Sequence, residues 1–99
     1  MRKLSEEEIG QAITRDLPGW RLAEGEILKS YKFPSFMDAI GFITRVAEKA
    51  EAANHHPDLE NHYNRVRVAI HTWSENGITQ KDIALAREIE SVADVASGG

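Results

Sequence analysis

The sequence predicts a single α+β domain in which three helices pack on one face of a four-stranded antiparallel sheet, in the order α-β-β-α-β-β-α. Three observations predict it. A hydroxyl residue followed three positions later by a carboxylate stands before three apolar-periodic segments, at Ser5…Glu8, Ser35…Asp38 and Thr79…Asp82. That spacing lets a side chain at each end cap the free N–H groups of a helix start. Between those segments lie alternating stretches joined by tight turns, the pattern of antiparallel strands. The length of 99 residues suffices for one core and leaves no room for a second module, so residues 1–99 read as one domain.

Taken in order, Ile9, Ala12 and Ile13 make a short helical stripe after Ser5. Trp20–Ala23 and Ile27–Phe33 then flank a Glu-Gly-Glu turn and read as a hairpin. After Ser35 the apolar residues Phe36, Ala39, Ile40, Ile43, Val46, Ala47 and Ala50 recur at helical spacing, which predicts a helix ending near Ala53. A short strand at Leu59–Tyr63 turns through Asn64 into Arg65–Trp73, where nine residues alternate. Val66, Val68, Ile70 and Thr72 would face the core; Arg65, Arg67, Ala69, His71 and Trp73 would face water. The last helix carries Ile83, Ala86, Ile89, Val92, Ala93 and Ala96, and the tail Ser97-Gly98-Gly99 is expected to fray. Helices over one face leave short edge strands unblocked by proline, so edge pairing into a homo-oligomer, at least a dimer, is expected.

Twelve Lys+Arg against sixteen Asp+Glu give a formal charge of -4, which argues against a nucleic-acid partner held by a broad basic field. The absence of cysteine removes disulfides, zinc ribbons and thiol nucleophiles. With no apolar segment near the N-terminus and no run of about twenty apolar residues, a cytoplasmic protein without membrane contact is expected. Glycine-rich phosphate loops, nucleophile elbows and aromatic-basic patches for single strands are also missing. A small, uncharged or weakly charged ligand is left.

The chemistry concentrates at His55-His56-Pro57. An imidazole titrating near pH ~6.5 can donate or accept a proton under cellular conditions. Pro57 biases His56 toward an extended conformation and stops the helix from running on. In such a backbone neighbouring rings diverge and take different jobs. Two surface histidines satisfying the last helix carbonyls are the plain alternative, and from local composition alone the favoured one. Metal ligation fits poorly, because no His-x-x-x-His pair sits on a predicted helix and adjacent rings point apart. Trp73 could stack on a flat heterocycle or pack at an interface. Asp82 doubles as a helix-cap carboxylate, and Tyr63 reads as a core aromatic with a bonded hydroxyl.

Glu51, three residues, His55-His56-Pro57, five residues, Tyr63, nine residues, Trp73, eight residues and Asp82 form a spaced frame that resembles the pterin-4a-carbinolamine dehydratase family. This family is also known as the dimerisation cofactor of a homeodomain transcription factor. FMDAIGFITRVAEKAEAANHHP, NHYNRVRVAI and GITQKDIALA add to the likeness, which runs from about Trp20 to Glu90. The resemblance implies dehydration of 4a-hydroxytetrahydropterin to quinonoid dihydropterin in pterin recycling, without cofactor or metal, by a homodimer or homotetramer. It implies that His55 is the general acid at the 4a-hydroxyl, and that His56 orients the ring and is a candidate to assist proton removal. Glu51, Asn54 and Pro57 would support the loop or contact the pterin. Thr72, Trp73, Ser74 and Glu75 would form the opposite wall, with Tyr63 and Asp82 in support. The best-known members carry a third histidine where Trp73 stands; His71, two residues away, leaves partial compensation open. A non-catalytic oligomerisation or transcriptional coactivator-type binding module on the same fold is the alternative reading.

Overall fold

The first helix, α1 (Glu6–Asp16), starts where its cap predicts. Ser5 Oγ accepts from the Glu8 N–H at 3.1 Å, and Glu8 accepts in return from the Ser5 N–H at 2.9 Å. The computed structural model describes residues 2–96, and side chains only as far as Ala93; the Ser97-Gly98-Gly99 tail and the Ala96 side chain lie outside the described residues. Arg2 grips the Glu8 carboxylate with both terminal nitrogens, each at 2.9 Å. The Arg2 hydrogen bonds, then the Ser5 N–H, lower the Glu8 pKa to about 2. A depressed carboxyl pKa stabilises the fold above the unfolded value near 4.5 and ceases to do so as pH falls through about 2. We expect Glu8→Gln to melt below wild type at neutral pH, with the two melting curves converging near pH 2. An offset unchanged across that interval would contradict the assignment.

The chain then folds through β1 (Arg21–Ala23) and β2 (Glu26–Lys32). Ala23 pairs with Glu26, so the loop is Glu24-Gly25, both with positive φ of 51° and 79°. Two left-handed residues give the turn a twist that matches the strands. Helix α2 (Phe36–Ala53) begins with Ser35 Oγ accepting from the Asp38 N–H at 3.1 Å. Next come β3 (Asp58–His62), β4 (Arg65–Ile70) and α3 (Gln80–Ala96). The sheet runs β1-β2-β4-β3, antiparallel throughout.

All three helices lie against one face. Ile27, Val66, Val68 and Ile70 from the central strands join Phe42 and Val46 of α2, Ile83 and Ile89 of α3, and Ile9 and Ala12 of α1 in one buried cluster. Phe42 is the largest of the fully buried side chains, with Tyr31 and Phe33 at centroid distances of 4.8 and 4.9 Å.

The expected strand over Arg65–Trp73 stops at Ile70. Thr72 makes one isolated bridge to Gly77, donating its N–H to the Gly77 carbonyl at 2.8 Å. Trp73–Glu75 then wind into a single 3-10 turn closed by Asn76 at φ 52°. Alternation marked which side chains faced the same way but did not reveal that the ladder runs out of partners. On the open face, Ala69 is buried rather than wet, because it sits between Leu28 and Asp58 in the register of the two central strands and β3. Tyr63 is no core aromatic; it occupies the β3–β4 turn at φ 54° with 70% of its surface exposed.

Candidate active site

Two helix termini build the site. At the end of α2, Asn54 takes a left-handed conformation with φ 51°, which asparagine tolerates better than most residues. The Asn54 N–H donates to the Ala50 and Glu51 carbonyls, and the His55 N–H to Ala50 at 3.0 Å. This cap reverses the chain, and Pro57, which has no N–H to offer, follows at once. His55 is thereby directed across to the start of α3.

There it meets Asp82. His55 Nε2 lies 2.6 Å from Asp82 Oδ1; an ionised carboxylate only accepts, so the ring donates. The other Asp82 oxygen accepts from Thr72 Oγ1 at 2.7 Å and from the Thr79 N–H at 2.8 Å. Thr72 and Thr79 hydroxyls are 3.0 Å apart, and Thr79 Oγ1 accepts from the Lys81 N–H. Among the described residues the buried polar side chains are Thr72, Thr79 and Asp82, and all three belong to this network. A buried carboxylate is costly unless its lone pairs are satisfied. Here the cap and the strand end satisfy Oδ2, while Oδ1 is committed to the histidine. Opposite an ionised Asp82, Nε2 carries the shared proton, and Nδ1 has no hydrogen-bond partner among the described residues.

His56 points elsewhere. Its Nε2 lies 2.5 Å from Glu51 Oε2, with both side chains largely in solvent. The adjacent rings thus diverge onto separate carboxylates. No group of three or more His, Asp or Glu side chains converges as a metal site among the described residues.

A cleft of about 480 Å³ opens between the α2–β3 loop and the segment after β4. Asn54, His55, His56 and Pro57 line one wall; Thr72, Trp73 and Ser74 line the other. Seven expected site residues are therefore brought together. Asp82 lies behind His55, and Glu51 reaches the cleft only through His56. Glu75 is not on its wall, and Tyr63 lies beyond the far end of β3, roughly 17 Å along the strand from Asp58. Asp58, His71 and Lys81 complete the lining. Lys81 was missed although it immediately precedes Asp82: a lysine in a helix's first turn reads as solvent-facing unless the opposing loop is known.

The model of the family described as Pterin 4 alpha carbinolamine dehydratase matches residues 2–92. The chain belongs to this family. Among curated members, a protein of Mycobacterium avium (strain 104) is 46% identical over 92 residues, covering 93% of this chain and 97% of its own. One from Chloroflexus aurantiacus is 45% identical over 92 residues, covering 93% and 98%. Both are named "Putative pterin-4-alpha-carbinolamine dehydratase". A crystal structure from Brucella melitensis, described as a transcriptional coactivator/pterin dehydratase, is 41% identical with a TM-score of 0.87, covering 93% of this chain and 99% of that one. A pterin dehydratase-like protein described as a RuBisCO assembly factor in the alpha-carboxysome is 18% identical with a TM-score of 0.66, and so shares the fold alone. Family membership covers the whole of both cleft walls and both helix ends that form them.

Proposed function

We propose that the protein is a hydro-lyase converting 4a-hydroxytetrahydropterin to quinonoid dihydropterin and water, with His55 as general acid. The observation that carries this reading is the His55–Asp82 pair on the cleft wall, 2.6 Å apart with the carboxylate fully buried. Hydroxide leaves poorly unless protonated. A protonated His55 Nδ1 delivers the proton to the 4a-oxygen as the C4a–O bond breaks. The N–H electrons at N5 become the C4a=N5 double bond as that proton departs to a base in the cleft. His56, held by Glu51, and Asn54 orient the ring, while Trp73 offers its indole face to the pteridine plane. Every proton is carried by side chains of this chain, so the reaction is written without cofactor or metal.

The test is turnover of 4a-hydroxytetrahydropterin by purified wild type and His55→Ala. Wild type well above the uncatalysed rate, with the variant near it, supports the reading; equal rates at the uncatalysed level would sink it. The binding-module alternative draws on Trp73, 80% exposed, and on the description of the Brucella neighbour. It expects a specific protein partner retained by a chain that turns over no pterin. We further propose assembly of two or four copies through the outer edges of β1 or β3, each paired on only one side in the sheet. A monomer by light scattering at assay concentration would refute that.

A further inference from the structure

The proposed dehydration needs two proton transfers in different directions. Hydroxide leaves C4a across the face of the ring, whereas the N5 proton departs at its edge. One imidazole cannot serve both in a single passage. His55 is committed to the first by Asp82, and His56 spends one nitrogen on Glu51 at the solvent boundary. His71 is a third imidazole on the cleft, immediately after β4 and on the opposite wall from His55. Its ring packs on the Trp73 indole at a centroid distance of 4.2 Å and an angle of 59°, yet neither ring nitrogen has a hydrogen-bond or ion-pair partner among the described residues. A half-buried imidazole with both nitrogens uncommitted, held by an aromatic neighbour, is available for proton transfer.

We propose that His71 is the base that accepts the N5 proton. This rests on the dehydratase reading. The neutral ring takes the proton, the N5–H pair forms C4a=N5, the C4a–O pair leaves on oxygen, and His55 protonates that oxygen. The pterin leaves as quinonoid dihydropterin with one water, His71 is left cationic and His55 neutral, and solvent exchange resets both. The other titratable or charged groups on the cleft are His55, His56, Asp58 and Lys81, so the pH profile belongs to the set rather than to one ring.

The experiment compares wild type, His71→Gln and His71→Ala in steady-state dehydration across pH, with and without added imidazole. The expected result is a fall in kcat of about 10²-fold, the lower end for a general base, with KM within about threefold. The limb of the kcat profile that reports the base should be lost, and imidazole should restore turnover to His71→Ala in proportion to its unprotonated fraction. If His71 only supports Trp73, His71→Gln keeps wild-type kcat or loses activity through KM alone, and imidazole rescues nothing; either result overturns the proposal. Wild type at the uncatalysed rate overturns the dehydratase reading and this inference together. An active wild type beside a fully active His71→Gln overturns only the inference.

Discussion

Asp82→Ala is expected to cost the protein both stability and activity. The Thr79 N–H, the Thr72 hydroxyl and His55 Nε2–H all lose their acceptor at a position with no exposed surface. Each buried donor left unsatisfied costs about 1–3 kcal/mol, and breaking such a buried charged network costs about 3–5 kcal/mol in all. A domain of this size holds roughly 5–15 kcal/mol in total, so Tm should fall by about 12–40 °C. Asp82→Asn separates the two roles. Its oxygen must still face the Thr79 N–H and Thr72, which turns the amide NH2 toward His55. The ring then has to accept through Nε2 and cannot hold protons on both nitrogens, so giving up the Nδ1 proton would leave an imidazolate instead of a neutral ring. Expected are a near-native melt and a turnover reduced by about 10²–10⁴-fold. Native-like turnover in Asp82→Asn would show that a His55 cation held by the carboxylate is not needed.

His55→Ala should lower kcat/KM by about 10²–10⁴-fold, the usual worth of a positioned general acid. It also leaves Asp82 buried without its histidine, so the alanine variant is expected to melt below His55→Gln, whose amide can still donate to Oδ1. Both should be comparably inactive. Since the proposal has Asp82 acting through His55, the double variant His55→Ala/Asp82→Asn should be hardly slower than His55→Ala alone. Losses that multiply in the double variant would mean that Asp82 helps catalysis by a route other than His55.

Much of this arrangement is legible locally. The three Ser/Thr-to-carboxylate spacings mark helix starts because the cap satisfies backbone donors within four residues of chain. The stripe from Phe36 to Ala50 marks α2 because a helix repeats every 3.6 residues. His55-His56-Pro57 and its distances to Trp73 and Asp82 mark the family. The end of β4 was not legible: Thr72 continues the alternation of Val66, Val68 and Ile70, yet only the lack of a facing partner strand ends the ladder and starts the turn that carries Trp73. Tyr63 was misjudged for the same reason, since a strand's length is settled by its neighbour.

The sequence by itself determined the elements, their order and the family, because caps, periodicity and motif spacing are properties of short stretches of chain. Only the tertiary structure decided which groups each site residue meets. The carboxylate of Asp82 is a helix cap in sequence and becomes the partner of a histidine 27 residues away once α2 and α3 are packed together. His56 is drawn out to Glu51, while Lys81 and His71 come to face the cleft. Hydrogen bonds and charge effects act over a few ångströms of space, and which groups come that close is set by packing the helices on the sheet, not by their separation along the chain.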